Sequence, residues 1–358
     1  DLTANPTITN LNSHDNRYDV YLLDGGTLLA SRRLSVTQIP YEINGDLAVA
    51  SGATLTLDAG VVIKGYYARA IVVNGTLDVN GTASQPVILT SWRDDTALGD
   101  SYHDGAGVPQ SGDWAYLQIA SGSTGTTLDK LQIRYAGNAS SPHDGNWYCR
   151  SLYVDANTTA TGLVVRNADS GGVIVRSGAT LNVNGGLLSD NASYGLYVEN
   201  GTAALSNMGV FSSPAGVSVA AGQSATVANC AFGDLTTAVS YAGTGDFTHA
   251  VAQGNWWGSA AGPSDPSLAD GRVNNNPAGQ AVSDWVDYGD WLTTPPALPL
   301  GPRILSHTPA LANAPVATID LTFSDAANLA TFGVDDVTVA GPQSPAAQSI
   351  SSLGGNRY

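Results

Sequence analysis

Between Ser151 and Ser259 one short phrase returns about every 21 residues, a period that belongs to stacked repeats rather than to a globular core. It reads SLYVDANTTATGLVVRNADS from Ser151, GVIVRSGATLNVNGGLLSDNASY from Gly172, GLYVENGTAALSNMGVFSSPA from Gly195 and GVSVAAGQSATVANCAFGDLTT from Gly216, with a further copy from Ala238. Within each copy apolar residues alternate with polar ones, which is strand patterning, and Gly or Asn marks the turns. One copy has too few apolar residues to close a core. Coils stacked at the ~4.8 Å strand spacing would bury the inward side chains of all of them. The chain is therefore expected to be an all-β, right-handed parallel β-helix of about nine coils. Helical solenoids are disfavoured, because no copy carries an i, i+3, i+4, i+7 stripe.

Composition agrees. Glu42 and Glu199 are the only glutamates and Lys64 and Lys130 the only lysines, while Asp and Gly abound. Such a skew suits turns and starves helices. The net charge of −16 argues against nucleic acid as a partner, since phosphate binding needs clustered Lys and Arg. No stretch reaches the ~20 apolar residues of a membrane helix, so membrane insertion is not expected. Asp1 follows no signal peptide, which fits a mature or cut chain. Cys149 and Cys230 fall at unrelated phases of the repeat and are expected to be buried thiols.

Four regions are expected. Residues 1–40 read as an N-terminal cap, with Tyr18 to Leu23 and Thr27 to Leu29 forming a hairpin about Asp24-Gly25-Gly26. Residues 41–259 form the β-helix, interrupted by two long polar loops, Trp92 to Gly112 and 138–149. Residues 260–302 make a Trp-rich closure, with Trp285, Tyr288 and Trp291, and a Pro-rich linker. Residues 303–358 begin a β-sandwich of Ig-like type, which needs ~100 residues and so ends unfinished. Its open edge invites strand donation, hence a homo-polymeric fibre as one functional alternative.

The phrases GDLAVASGATLTLDAGVVIKG, NGTLDVNGTASQPVILTS, LQIRYAG and GNWWGSAAGPSDP resemble the right-handed parallel β-helix modules of large bacterial surface and secreted, adhesin-like proteins. TIDLTFSD and VDDVTVAGP are similar to their Ig-like modules. The resemblance spans residues 36 to 340 and departs from the usual Gly-Gly-Ile after Trp114, where Ala115-Tyr116 stands. It implies an extracellular or cell-surface protein with a structural or adhesive role, and for some relatives a carbohydrate-active one.

Loops of this length inside a solenoid are where a site is expected. Asp94, Asp95, Asp100 and Asp104 lie within eleven residues, and calcium would relieve their repulsion. His103 and His143, each followed by Asp-Gly, form a weaker metal pairing with Asp104 and Asp144. By strand phase Tyr153, Ile174 and Tyr197 stack on one outer face, and Asp155, Arg176 and Glu199 form a charged ladder beside them. That arrangement reads either as a surface ion-pair ladder or as a polysaccharide-binding or polysaccharide-degrading cleft, with Tyr153, Asp155, Arg176, Tyr197 and Glu199 as its ligand residues. Two carboxylates ~9.6 Å apart lie at the limit for an inverting glycosidase. Arg176 between them would keep both ionised and unfit as general acids. Trp256 and Trp257 read as an end plug rather than a sugar platform. The Asn-x-Ser/Thr triplets at Asn74, Asn80, Asn157, Asn191 and Asn200 read as turn chemistry. The leading expectation is a non-enzymatic structural or adhesive module, with carbohydrate or other surface proteins as partners.

Overall fold

The computed structural model describes residues 8, 11, 13, 16–138 and 149–300, and within 304–358 residues 304–308, 317–323, 329, 332, 334, 337 and 349–358. It divides into two units, Asp1–Leu298 and Pro299–Tyr358. The first is an all-β, right-handed-type parallel solenoid of about ten turns.

Each early turn contributes a short strand to each of three rows. Row one holds Tyr21–Leu23, Tyr41–Ile43, Val62–Gly65, Val87–Ser91 and Leu131–Arg134; row two holds Gly26–Leu28, Leu47–Val49, Ile71–Val73, Leu117–Ile119 and Leu152–Val154. Row three starts with Arg32–Leu34, Thr54–Asp58, Thr76–Asn80 and Thr126–Asp129. Later turns run through the corners, so that Gly201–Val219 passes through all three rows as one 19-residue strand. Registers are in phase throughout. Leu47, Ile71, Leu117, Leu152, Val173, Leu196, Val217 and Val239 are each paired with the next and form a column of buried aliphatics. Each contributes roughly 1.5–3 kcal/mol by leaving water, and the alternate residues face out.

The N-terminal hairpin is corrected. Tyr21–Leu23 pairs in parallel with Tyr41–Ile43, and Gly26–Leu28 with Leu47–Val49, so residues 21–34 are the first full turn of the solenoid. Asp24-Gly25-Gly26 is a corner between rows, not a chain reversal. Gly25 has φ +85° and a Cβ there would lie 2.6 Å from the carbonyl carbon of Gly45 in the turn above. Tight stacking, rather than hairpin geometry, demands this glycine.

At the other end the solenoid runs past residue 259. Ala250–Val251 and Val286–Asp287 extend row three, and bridges at Trp256 and Val282 continue rows one and two. Trp257 is fully buried and stacks on Phe232 at 4.9 Å, which is the plug its position predicted. Cys149 and Cys230 are both buried free thiols. Asn157 and Asn191 accept hydrogen bonds from the amides of Thr180 and Ala168, as turn-forming asparagines do. In the second unit Ile304–Thr308 pairs antiparallel with Asp320–Phe323. The remaining strands expected of an Ig-like sandwich lie outside the described residues.

Candidate functional site

All the long insertions leave from one corner, between row one and row two. In successive turns this corner holds residues 66–70, then 92–116, then the described residues 135–138 and 149–151. The first of the two long loops is held down by the outer face of row one. That face carries Glu42, Lys64 and Thr90 in register, one per turn. Lys64 is fully buried and donates to the Gly99 carbonyl and to Ser101 Oγ, both at 2.9 Å. Burial holds its pKa below the ordinary lysine value, while the carboxylates of Asp95, Asp94, Asp100 and Glu42 pull the other way. Glu42, also buried, accepts a hydrogen bond from Tyr102 Oη. Burial pushes its pKa up, against the stabilising pull of Tyr102 and Lys64.

Pinned this way, the loop completes a cluster of five rings at the corner. Tyr66 packs edge-on against Tyr67 at 4.6 Å and lies tilted against Trp92 at 5.3 Å; Trp92 and Tyr18 each meet Tyr102 at 5.0 Å. Tyr67 is 56% and Tyr18 44% exposed, and the other three are half-buried. The Arg93 guanidinium lies 4.8 Å over Trp92 and that of Arg17 5.0 Å over Tyr18. Tyr67 sits at φ +50°, a region that a bulky side chain enters only when its surroundings require it. A contiguous, water-facing aromatic patch is costly in a protein with no use for it. Rings of this kind offer apolar faces and hydrogen-bonding rims together.

None of these rings was singled out in the sequence, where they are spread from Tyr18 to Tyr102. Two local signals were present: an adjacent Tyr66-Tyr67 at the end of a strand, and Trp92 as the first residue of the interruption.

Three of the four expected calcium ligands have protein partners. Asp94, fully buried, accepts from Thr90 Oγ1 at 2.6 Å, from the amide and hydroxyl of Thr96, and from Arg134 at 3.3 Å. Burial alone would raise its pKa, but the two threonine hydroxyls and Arg134 outweigh that and hold it below the usual value. Asp95 accepts the Gly107 amide, and Asp100 the amides of Tyr102 and Gly105. Asp104 is exposed. Among the described residues no three His, Cys, Asp or Glu side chains gather as a metal cage. His103 pairs with Asp19 at 2.9 Å; His143 and Asp144 lie outside the described residues.

The ladder is in the expected register, Gln118 over Tyr153 over Ile174 over Tyr197 over Ser218. It is not an open cleft. Tyr153 and Ile174 are buried in a second apolar cluster with Ala70, Ala115, Tyr116 and Cys149. Asp155 is buried and receives both Arg176 Nε and a terminal nitrogen of the same guanidinium at 2.9 Å, plus Gln118 at 2.7 Å. Arg176 also lies 4.7 Å over the Tyr153 ring. Such a bidentate pair fixes Asp155 as a structural anion. Arg176 and Tyr197 are half-buried and Glu199 exposed, so these three of the five reach the surface, and Arg176 does so while paired with Asp155.

Comparison with known proteins places the patch in context. Residues 27–102 match the family described as pectate-lyase like beta helix domain, a span that includes four of the five rings. A 69-residue stretch, 19% of this chain, is 35% identical to protein bark beetle of Drosophila melanogaster and covers 2% of that protein. Among solved structures, the enzymatically active domain of bacteriophage CBA120 tailspike protein 2 aligns over 75% of this chain and 42% of its own length, at 12% identity and a TM-score of 0.33. The chain thus spans only a small part of the curated relative and less than half of the solved one. Its N-terminal turns carry a pectate-lyase-like β-helix segment inside a longer parallel β-solenoid.

Proposed function

We propose that this solenoid is an extracellular, non-enzymatic module that binds polysaccharide through the Tyr18, Tyr66, Tyr67, Trp92 and Tyr102 patch, as part of an adhesive or surface-associated protein. The observation that carries this reading is the half-exposed patch itself, built at the corner where the solenoid is interrupted. A sugar ring has an apolar C–H face and a polar hydroxyl edge, and adjoining rings of Tyr and Trp complement both. The pectate-lyase-like match over residues 27–102 supports the same substrate class. Rigid stacked turns keep the rings preorganised, which lowers the ordering cost of binding.

Binding rather than cleavage is favoured by the state of the acids. Glycoside hydrolysis needs two carboxyl groups about 5–9.5 Å apart that can both reach the sugar. Asp155 and Asp94 are held by arginines, and Glu42 lies buried beneath Tyr102.

Affinity electrophoresis against a panel of neutral and acidic polysaccharides, with Trp92 fluorescence as a second readout, tests this. Retardation by at least one polysaccharide, weakened tenfold or more in Trp92→Ala and Tyr67→Ala, is expected. Stacking worth ~1–2 kcal/mol per ring sets that magnitude. Retardation unchanged in both variants, or none with any polysaccharide, would sink the proposal. Release of reducing or unsaturated ends would overturn its non-enzymatic part.

A further inference from the structure

Along each strand of row one the alternate residues point outward, where water should reach them. Leu22, at the foot of that outward column, is 42% exposed. Glu42 in the next turn is only 5% exposed, and Lys64 above it is fully buried. The 99–102 stretch of the loop makes the difference, because it lies over these two residues and meets them through Gly99, Ser101 and Tyr102. A carboxyl group is thus sealed beneath one ring of the aromatic patch.

That seal is poor in hydrogen bonds. An ionised carboxylate has about four acceptor sites, yet among the described residues Tyr102 Oη is the one donor to Glu42. Lys64 directs its own hydrogen bonds at the loop instead. Keeping a charge on Glu42 here is costly, and the cost falls if the loop lifts and water enters. A protonated carboxyl loses far less on burial and can still accept from Tyr102. The closed loop therefore favours the proton, and the lifted loop favours the charge.

We propose that Glu42 is a proton-operated latch on the aromatic patch: with the proton on, residues 99–102 close over row one and hold Tyr102 among its neighbouring rings, and with the proton off the loop loosens and the patch releases its ligand. This rests on the polysaccharide reading for the ligand, but closure can be followed without one. The sign comes from linkage. Burial raises the Glu42 pKa above the ordinary 4.5, and the opposing pulls of Tyr102 and Lys64 leave it raised. Closure is favoured in full below 4.5 and weakens as pH rises through the higher, closed-state value. The groups facing the latch are Lys64, with Asp94, Asp95 and Asp100 around it, and the phenols of Tyr18, Tyr66 and Tyr102. Beside Tyr102, His103 pairs with Asp19 at 2.9 Å. Leu22 brings no charge from the turn below, and Asp94 titrates under 3.8, beneath the window.

The test follows amide exchange of residues 99–102 in the full chain, corrected for the intrinsic effect of pH and referred to the buried strand Leu152–Val154. Affinity electrophoresis on the polysaccharide that the parent recognises runs in parallel. From about pH 8 to about pH 5 protection should rise about threefold or more, and retardation with it, about a midpoint above 4.5. Glu42→Gln is neutral and keeps an acceptor for Tyr102, so it should show the parent's acid level of protection and binding at both pH values. His103→Asn should leave the response in place. Tyr102→Phe keeps the ring but removes a donor that lowers the Glu42 pKa, so its midpoint should move up; this keeps the test decisive if Glu42→Gln does not fold. Protection that is flat in the parent, equally pH-dependent in folded Glu42→Gln, or unmoved in midpoint in Tyr102→Phe overturns the latch. Retardation of the parent that is equal at both pH values overturns it too, while the polysaccharide reading stands. Protection that responds in the parent but not in Glu42→Gln, with no polysaccharide retarded at any pH, overturns the polysaccharide reading and upholds the latch.

Discussion

The chain has two acidic regions, and they are opposites. In the 92–113 loop the acids are dense in sequence, yet buried Asp94 has Thr90, Thr96 and Arg134 as partners, and half-buried Asp113 has Ser91 and Gln110. In the closure the acids are scattered from Asp265 to Asp287, yet two of them keep a buried oxygen that meets no donor among the described residues. Local density of carboxylates therefore says little about which of them lack donors. What decides it is whether the fold brings donors to each oxygen, and that depends on how turns stack.

The sharpest way to break this contrast is at Asp94. Asp94→Asn leaves the nearly buried Arg134 guanidinium without its counter-ion, and the loss should be about 3–5 kcal/mol in denaturant unfolding. The pH response has a definite sign. Because the folded Asp94 carboxyl titrates below its unfolded value, its contribution is complete above about pH 4 and is lost as pH falls through the lower folded value. Asp265 has the opposite sign: its folded pKa is raised, so its ionisation lowers stability as pH rises through the carboxylate range. Unfolding curves between about pH 3 and 7 should show the acid limb of the parent flattened in Asp94→Asn. Asp265→Asn should be at least as stable as the parent at neutral pH. Equal acid limbs in parent and Asp94→Asn would erase the distinction.

The next effect concerns the ladder on row two. Asp155→Asn removes the bidentate acceptor of Arg176 and should cost about 2–3 kcal/mol while leaving polysaccharide retardation untouched. A loss of binding with stability preserved would return Asp155 to a ligand role. Smaller still is Lys64→Met, which keeps the stem but loses the bonds to Gly99 and Ser101. Because burying a lysine is itself costly, the net change should be about 1 kcal/mol. Amide exchange should quicken around residues 99–102, and the five-ring patch should bind polysaccharide less well.

How much of this the sequence displays follows from the period. The alternation within the 21-residue phrase specifies which residues face in, so the register of Tyr153, Ile174 and Tyr197 could be read directly, as could the Trp257 plug. Corners were harder. Asp24-Gly25-Gly26 has the composition of a hairpin turn, and only the parallel partner strands, twenty residues away, show it to be a bend between rows. The aromatic patch was harder again, because Tyr18, Tyr66, Tyr67, Trp92 and Tyr102 meet through stacking of three turns and an insertion, with no shared motif. The orphaned oxygens of Asp265 and Asp284 have no sequence signature at all, since an absent donor is visible only in three dimensions.

The smallest expected change in stability tests whether the patch is functional or incidental. Tyr67 holds φ +50° at 56% exposure, a conformation that costs a non-glycine residue roughly 1 kcal/mol or more. Asn tolerates that region, so Tyr67→Asn should leave thermal stability unchanged or raise it by about 0.5–1 kcal/mol, less the ring contact with Tyr66. If the ring is kept for binding, the same variant should lose retardation on the polysaccharide that the parent recognises. Improved stability together with lost affinity is the signature of a residue held in a strained conformation for its contact with a ligand. Unchanged affinity would make Tyr67 an ordinary exposed ring and move the binding surface inward to Trp92 and Tyr102.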